Sequence, residues 1–160
     1  MATPTAFKNC ALCRQDNDAV VVALIGSDNY IYIGQSQVAN QATASTWGAL
    51  VNTAIGAQAV GASLRGDRLV QVVYHSNTNN YMGTIIQATK NGSSWTSQNT
   101  NTGLSGIIAG LEADYRSDGL ILCGLISNTG GNTSQGNFAV AVQASQAGQY
   151  PAAVTVIYGT

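Results

Sequence analysis

Arg14, Arg65 and Arg116 stand 51 residues apart, and each is followed two positions later by an aspartate: Arg14-Gln15-Asp16, Arg65-Gly66-Asp67 and Arg116-Ser117-Asp118. An internal period of this size constrains the fold before anything else does. A unit of about 50 residues buries its apolar surface by stacking on its neighbours, so the whole chain follows from one unit and its contacts. The flanking residues repeat as well. Each Arg-x-Asp segment is preceded by a short apolar stretch and followed by a longer one: Ala19 to Ile25, Leu69 to Tyr74 and Leu120 to Ile126. A polar turn beginning at Ser27, Ser76 or Ser127 comes next, then a third apolar run (Tyr30 to Ile33, Met82 to Ile86, Phe138 to Val142), then an aromatic residue at Trp47, Trp95 or Tyr150.

Runs of this length, rich in Val, Ile and Tyr and bounded by Gly, Asn and Ser, read as strands, and no segment carries a helical period. Each unit is therefore expected to hold four short strands. The chain is expected to be one all-β domain over 1–160, with three repeats at about 8–58, 59–106 and 107–160. Val20 to Ile25 and Leu120 to Ile126 are apolar at successive positions, so both faces of those strands need cover. Four-stranded sheets stacked face to face supply it, as in a β-propeller blade. Three blades do not close a ring, which takes roughly four to eight. Two chains supply six, so the expected architecture is half of a six-bladed β-propeller closed by homodimerisation. A β-trefoil or a threefold β-prism is the alternative, since each also has three repeats and closes within one chain.

The segment Ala88-Thr89-Lys90-Asn91-Gly92-Ser93-Ser94-Trp95 resembles the Asp-box turn of sialidase-type propellers, with Gly92, Ser94 and Trp95 matching and Lys90 in place of the aspartate. The first unit retains Thr46-Trp47 of the pattern. In such families the box is a folding element, so the resemblance implies a blade architecture and a lectin-like rather than enzymatic protein. A sialidase activity is not implied, because the three units repeat one arginine where a substrate carboxylate needs several different groups.

Composition narrows the partners. Six Lys or Arg and seven Asp or Glu in 160 residues leave a net charge of −1 and no basic cluster, so neither nucleic acid nor an anionic membrane is an expected partner. No apolar run is long enough for a helical membrane span, and Met1 to Phe7 reads as no export signal. An extracellular or virion-associated setting suits a chain in which Ser, Thr, Asn, Gln and Gly make up nearly half. Cys10-x-x-Cys13 lacks the second half of a zinc site, and a strand puts the two thiols on opposite faces. Cys10, Cys13 and Cys123 are expected as buried small hydrophobes. His75 has no recognisable triad or metal partner. No enzyme activity, cofactor or metal is expected.

Two sets of turns remain as candidates. The Arg-x-Asp turns gather most of the charge, and each arginine is expected to pair with the aspartate of its own turn. On the opposite side of each unit, the turns between second and third strands carry Asp28, Asn29, Tyr30, His75, Asn77, Asn79, Tyr81 and Asn128. Short amides and hydroxyls beside aromatic rings (Tyr30, Tyr74, Tyr81) match neutral sugars, whose hydroxyl groups need fixed donors and acceptors and whose C–H face needs an apolar platform. Glycan binding by a lectin-like oligomer is the expected function, with those residues as its contacts. A structural or assembly role, as a subunit of a virion, fibre or filament, is the alternative from another class.

Overall fold

The computed structural model describes residues 4–37, 47–76, 81–101, 107–115, 121–128, 136–142 and 155–158. They form eleven strands: β1 (Phe7–Arg14), β2 (Val20–Gly26), β3 (Tyr30–Gln35), β4 (Val51–Leu64), β5 (Val70–Ser76), β6 (Tyr81–Gln87), β7 (Trp95–Asn101), β8 (Ile107–Tyr115), β9 (Ile121–Asn128), β10 (Gly136–Val142) and β11 (Thr155–Tyr158). β1 to β7 make one antiparallel sheet in chain order, and β8 to β11 make a second, four-stranded one. No helix occurs among the described residues.

β4 explains why seven strands join. It is 14 residues long, and it pairs with β3 through its first half (Val51 opposite Ile33, Gly56 opposite Tyr30) and with β5 through its second (Ala57 opposite Ser76, Leu64 opposite Val70). Ala54, at φ 58°, turns the chain between the two halves, and its N–H donates to Asn52 Oδ1 at 2.8 Å. Three four-stranded meanders result, the first two sharing a continuous strand.

The opening strand of each meander carries the same irregularity. One extra residue shifts the register between Phe7 and Asn9, between Ala57 and Ala59, and between Ile108 and Gly110, each time near the end of the following hairpin. Such a bulge bends and twists the strand. The first hairpin turns also match: Gln15 N–H donates to Ala19 O at 2.8 Å and Arg65 N–H to Leu69 O at 2.9 Å, with Asp18 and Arg68 both left-handed at φ 63° and 66°. Asn17 Oδ1 and Asp67 Oδ1 accept from the strand-opening N–H of Ala19 and Leu69.

This corrects the alignment of the Arg-x-Asp segments by one residue: Arg65 is equivalent to Gln15, not to Arg14. A turn is specified by its left-handed position and its side-chain acceptor, and those are Asp18 with Asn17 and Arg68 with Asp67. The arginine identity is not part of that specification. Gln15 and Arg65 are accordingly both buried, whereas Arg14 is exposed. The third Arg-x-Asp turn lies outside the described residues.

The core lies between the meanders. One face of the first, which we call its back (Ala11, Cys13, Val21, Ala23, Ile25), packs on one face of the second, its front (Val60, Ala62, Val70, Val72, Tyr74). The back of the second is turned to β8: a Cβ on Gly61 would sit 2.6 Å from Leu111 Cδ2 and 2.9 Å from Ala113 N. β5 is thus covered on both sides, and all seven of its residues are buried. Each fully buried Val, Ile or Leu contributes about 1.5–3 kcal/mol, so this middle layer carries much of the stability. Two-sided cover, expected for Val20 to Ile25 and Leu120 to Ile126, is found instead in β5, and the side chains of residues 120–126 lie outside the described residues. β2 is covered on its back only, which leaves Val20, Val22 and Leu24 half-buried. Cys10 is exposed and so departs from its expected burial, while burial pushes the Cys13 thiol up to about 11.

Gly83 lies under the Tyr74 ring, and a Cβ there would collide with Tyr74 Cζ. Gly83→Ala should therefore lower stability by about 1–3 kcal/mol. Urea unfolding reads this directly; an unchanged midpoint would show that Tyr74 does not pack across that strand.

Candidate functional site

Two of the Arg-x-Asp turns are described, and in both the arginine pairs within its own turn, but only Arg65 takes the aspartate of its Arg-x-Asp segment. Arg65 donates to Asp67 Oδ2 at 2.7 Å from a guanidinium that is 4% exposed. Arg14 instead pairs with Asp18, the left-handed residue of its turn. Asp16 is left to bridge the meanders: its Oδ1 accepts from Arg68 Nε at 2.9 Å and its Oδ2 from Lys90 Nζ at 2.6 Å. The Lys90 hydrogen bond, assisted by Arg68, holds the Asp16 carboxyl below its ordinary value. Two first-hairpin turns and the β6–β7 turn therefore meet at one carboxylate, which is shared by two cations.

The turn carrying Asp28, Asn29 and Tyr30 is exposed at Asp28 and Asn29, as expected for a contact surface, but its polar atoms are engaged within the chain. Asn29 is left-handed (φ 66°) and accepts at Oδ1 from Lys8 Nζ at 2.7 Å. Asp28 Oδ2 accepts from the Tyr32 hydroxyl at 2.7 Å, and Asp28 Oδ1 from Tyr30 N–H at 3.2 Å. The Tyr32 bond lowers the Asp28 pKa, and the same bond raises that of Tyr32. The Lys8 contact ties the hairpin to β1, and Ala57 N–H donating to Asn29 O at 2.8 Å ties it to β4.

The second turn differs from expectation. His75 is no turn residue: it sits within β5 at 0% exposure, on the back face turned to β8. Neither ring nitrogen meets a hydrogen-bond partner among the described residues, and burial pushes its pKa down. A side chain in that position does not reach a ligand from solvent. Tyr74 is equally buried, as the front-face neighbour of Gly83, and is no platform. A strand apolar on both faces continues one residue further than its polar letters suggest, so His75 and Ser76 are inside. Asn77 and Asn79 lie outside the described residues. Tyr81 opens β6, opposite Asn101, and Asn128 closes β9, opposite Gly136.

Among the described residues a cleft lies between the first two meanders. It has a volume of about 560 Å³ and is walled by Gln35, Ser36 and Gly48 on one side and by Asn91, Ser93 and Trp95 on the other, with Asn17 at one end. A smaller hollow of about 220 Å³ continues it past Trp95 along Thr53, Ile85 and Thr96. The pairing explains the position. Trp95 opens β7 opposite Gln87, and Trp47 bridges Ser36 at the matching place in the first meander, so each aromatic follows the end of the third strand.

Between β6 and β7 the Asp-box-like segment forms a compact turn, with Gly92 N–H donating to Thr89 O at 2.9 Å, Ala88 N–H to Ser94 O at 2.8 Å and Asn91 left-handed at φ 58°. Lys90, which replaces the aspartate, points to Asp16. Gln35 Nε2 spans the floor, donating to Gln15 Oε1 at 3.0 Å and to Asn91 O at 3.4 Å. The lining is uncharged: amides, hydroxyls, an indole and aliphatic carbon. The binding residues expected from the sequence, in the turns between second and third strands, do not include Gln35, Asn91 and Trp95. The signal was there, in an amide and an aromatic recurring at the end of each third strand.

A scan against protein-family models finds no match, and neither does a search of curated proteins.

Two pH effects follow, with opposite parts of the acid range. Asp16 has a folded pKa below 3.8, so its contribution is complete above that value and disappears as pH falls through the folded pKa. Asp16→Asn should lower the melting temperature at neutral pH, with the gap to wild type closing below pH 3.8. His75 has a folded pKa below 6.5, so the unfolded chain takes up the proton first and wild type should lose stability as pH falls below 6.5. His75→Gln should flatten that part of the profile. Thermal melts across both ranges test this; a pH-independent gap in either case contradicts the assigned environment.

Proposed function

We propose that this chain is a non-enzymatic, lectin-like protein that binds neutral glycans, and that two chains close into a six-bladed β-propeller. The cleft lining carries the reading. Trp95 offers an apolar ring for the C–H face of a sugar, while Gln35, Asn91, Ser36 and Ser93 offer donors and acceptors for its hydroxyl groups. None of these side chains titrates near neutral pH, which suits binding and supplies no general acid or base. Uncharged walls favour a neutral ligand over a phosphate or a sialic acid.

Support for blades comes from the common bulge, the matching first turns and the face-to-face packing of β1 on β4 and of β4 on β8. Sheets stacked this way suit a propeller better than the barrel of a trefoil. A site between blades recurs with each blade pair, so weak single sites gain strength through several on one assembly. The assembly reading has its own support in the exposed apolar side chains of Phe7, Leu12 and Val51.

A glycan-array screen at micromolar protein tests the proposal. Saturable binding to neutral glycans is expected, with Trp95→Ala and Asn91→Ala each weakening it by at least about tenfold. Circular dichroism of both variants should remain that of wild type. Absence of any bound glycan would overturn the lectin reading, and growth into large oligomers with concentration would favour the assembly reading.

A further inference from the structure

The stack of meanders has two ends. At one end the front face of β1 is uncovered: Lys8, Cys10, Leu12 and Arg14 are all exposed, Leu12 at 63%, and their partners on β2 (Leu24, Val22, Val20) are half-buried. At the other end the back face of β8 is uncovered, with Glu112 and Asp114 exposed while Leu111 on its front is buried under Gly61.

The bulges fix which residues correspond. Counting from them, the back-face pair is Ala11 and Cys13 in β1, Gly61 and Ser63 in β4, and Glu112 and Asp114 in β8. The front-face pair is Cys10 and Leu12 in β1, Val60 and Ala62 in β4, and Leu111 and Ala113 in β8. Just outside the front pair, β1 carries Lys8 and Arg14 where β4 has Gln58 and Leu64. Both internal contacts, β1 on β4 and β4 on β8, are therefore made at uncharged positions. Charge occurs at these positions only on the two uncovered faces, basic on β1 and acidic on β8. Within one chain Lys8 donates to Asn29 and Arg14 pairs with Asp18, but both remain exposed and their charge still faces outward.

We propose that the uncovered front of β1 receives the uncovered back of β8 from a second copy of this chain, with Leu12 and Cys10 packed against that strand and Lys8 and Arg14 set against Glu112 and Asp114. The contact repeats the front-to-back packing already present twice in the chain. It is heterologous, so two copies related by a twofold axis make it twice and leave no face open. Opposite charge confined to the open faces directs front to back and disfavours front to front and back to back. The proposal rests on the stacked-blade reading above and is independent of the sugar.

Charge reversal tests it. The variant Lys8→Glu with Arg14→Glu has two acidic faces, and Glu112→Lys with Asp114→Lys has two basic ones. Light scattering on a sizing column should give twice 16.5 kDa for wild type and one chain's mass for either variant by itself. Mixing the two variants should restore the wild-type mass, because both contacts of a mixed pair are complementary. A monomeric wild type, variants that keep the wild-type mass, or a mixture that stays monomeric would each overturn the proposal. The neutral changes Lys8→Gln with Arg14→Gln, and Glu112→Gln with Asp114→Asn, should weaken association without reversing charge, which keeps the test usable where a reversal does not fold. A larger assembly dissolved by the reversals and restored on mixing would support the face pairing and overturn the two-chain ring. Glycan binding that fails while the mass behaves as expected would sink the lectin reading and leave this one intact.

Discussion

The packing of β5 and the second half of β4 between two other sheets is the constraint from which the rest of the structure follows. A strand with Val70, Val72 and Tyr74 on one face and Gln71, Val73 and His75 on the other has no wet side, and all of these residues are buried. It folds only with a sheet in front and a sheet behind. The first meander supplies one cover and β8 the other. Small residues at the contacts let the sheets approach: Gly61 meets Leu111, and Gly83 leaves room for Tyr74. Polar residues are buried in this layer too, and burial pushes the His75 pKa down.

Much of this was legible in the sequence. Strand identity followed from Val- and Ile-rich runs and the four-strand unit from the recurring turns, whereas consecutive apolar letters pointed to two-sided cover in β2, which is covered on one face only. The register of the Arg-x-Asp segments was not legible, because Arg14 and Arg65 look equivalent as letters while Asp18 and Arg68 do the same backbone work with opposite charge. The place of His75 was hidden for a related reason: a polar residue after a strand reads as a turn, and only the pairing with Met82 and Ala59 puts it inside. Continuity of β4 was also not legible, since it depends on Ala54 adopting a left-handed conformation that its side chain does not favour.

Asp16 and the cleft show how the same stacking builds a site. Bringing two meanders face to face brings the ends of their third strands together, and with them Gln35, Asn91 and Trp95. The bridge from Asp16 to Arg68 and Lys90 clamps the turns beside the cleft. An uncharged recess beside an indole is the geometry on which the proposed glycan binding rests.

Because packing is front to back throughout, a chain of three meanders ends in one uncovered front and one uncovered back. Cys10 reports on that front: its thiol is exposed on β1 beside Leu12, whereas Cys13 three residues on is buried. The most direct measurement is the alkylation rate of Cys10, read by peptide mass spectrometry across a dilution series. Slow labelling at high concentration that becomes fast on dilution is the expected result, since a second copy would cover the thiol. A rate that is fast and independent of concentration would contradict the account.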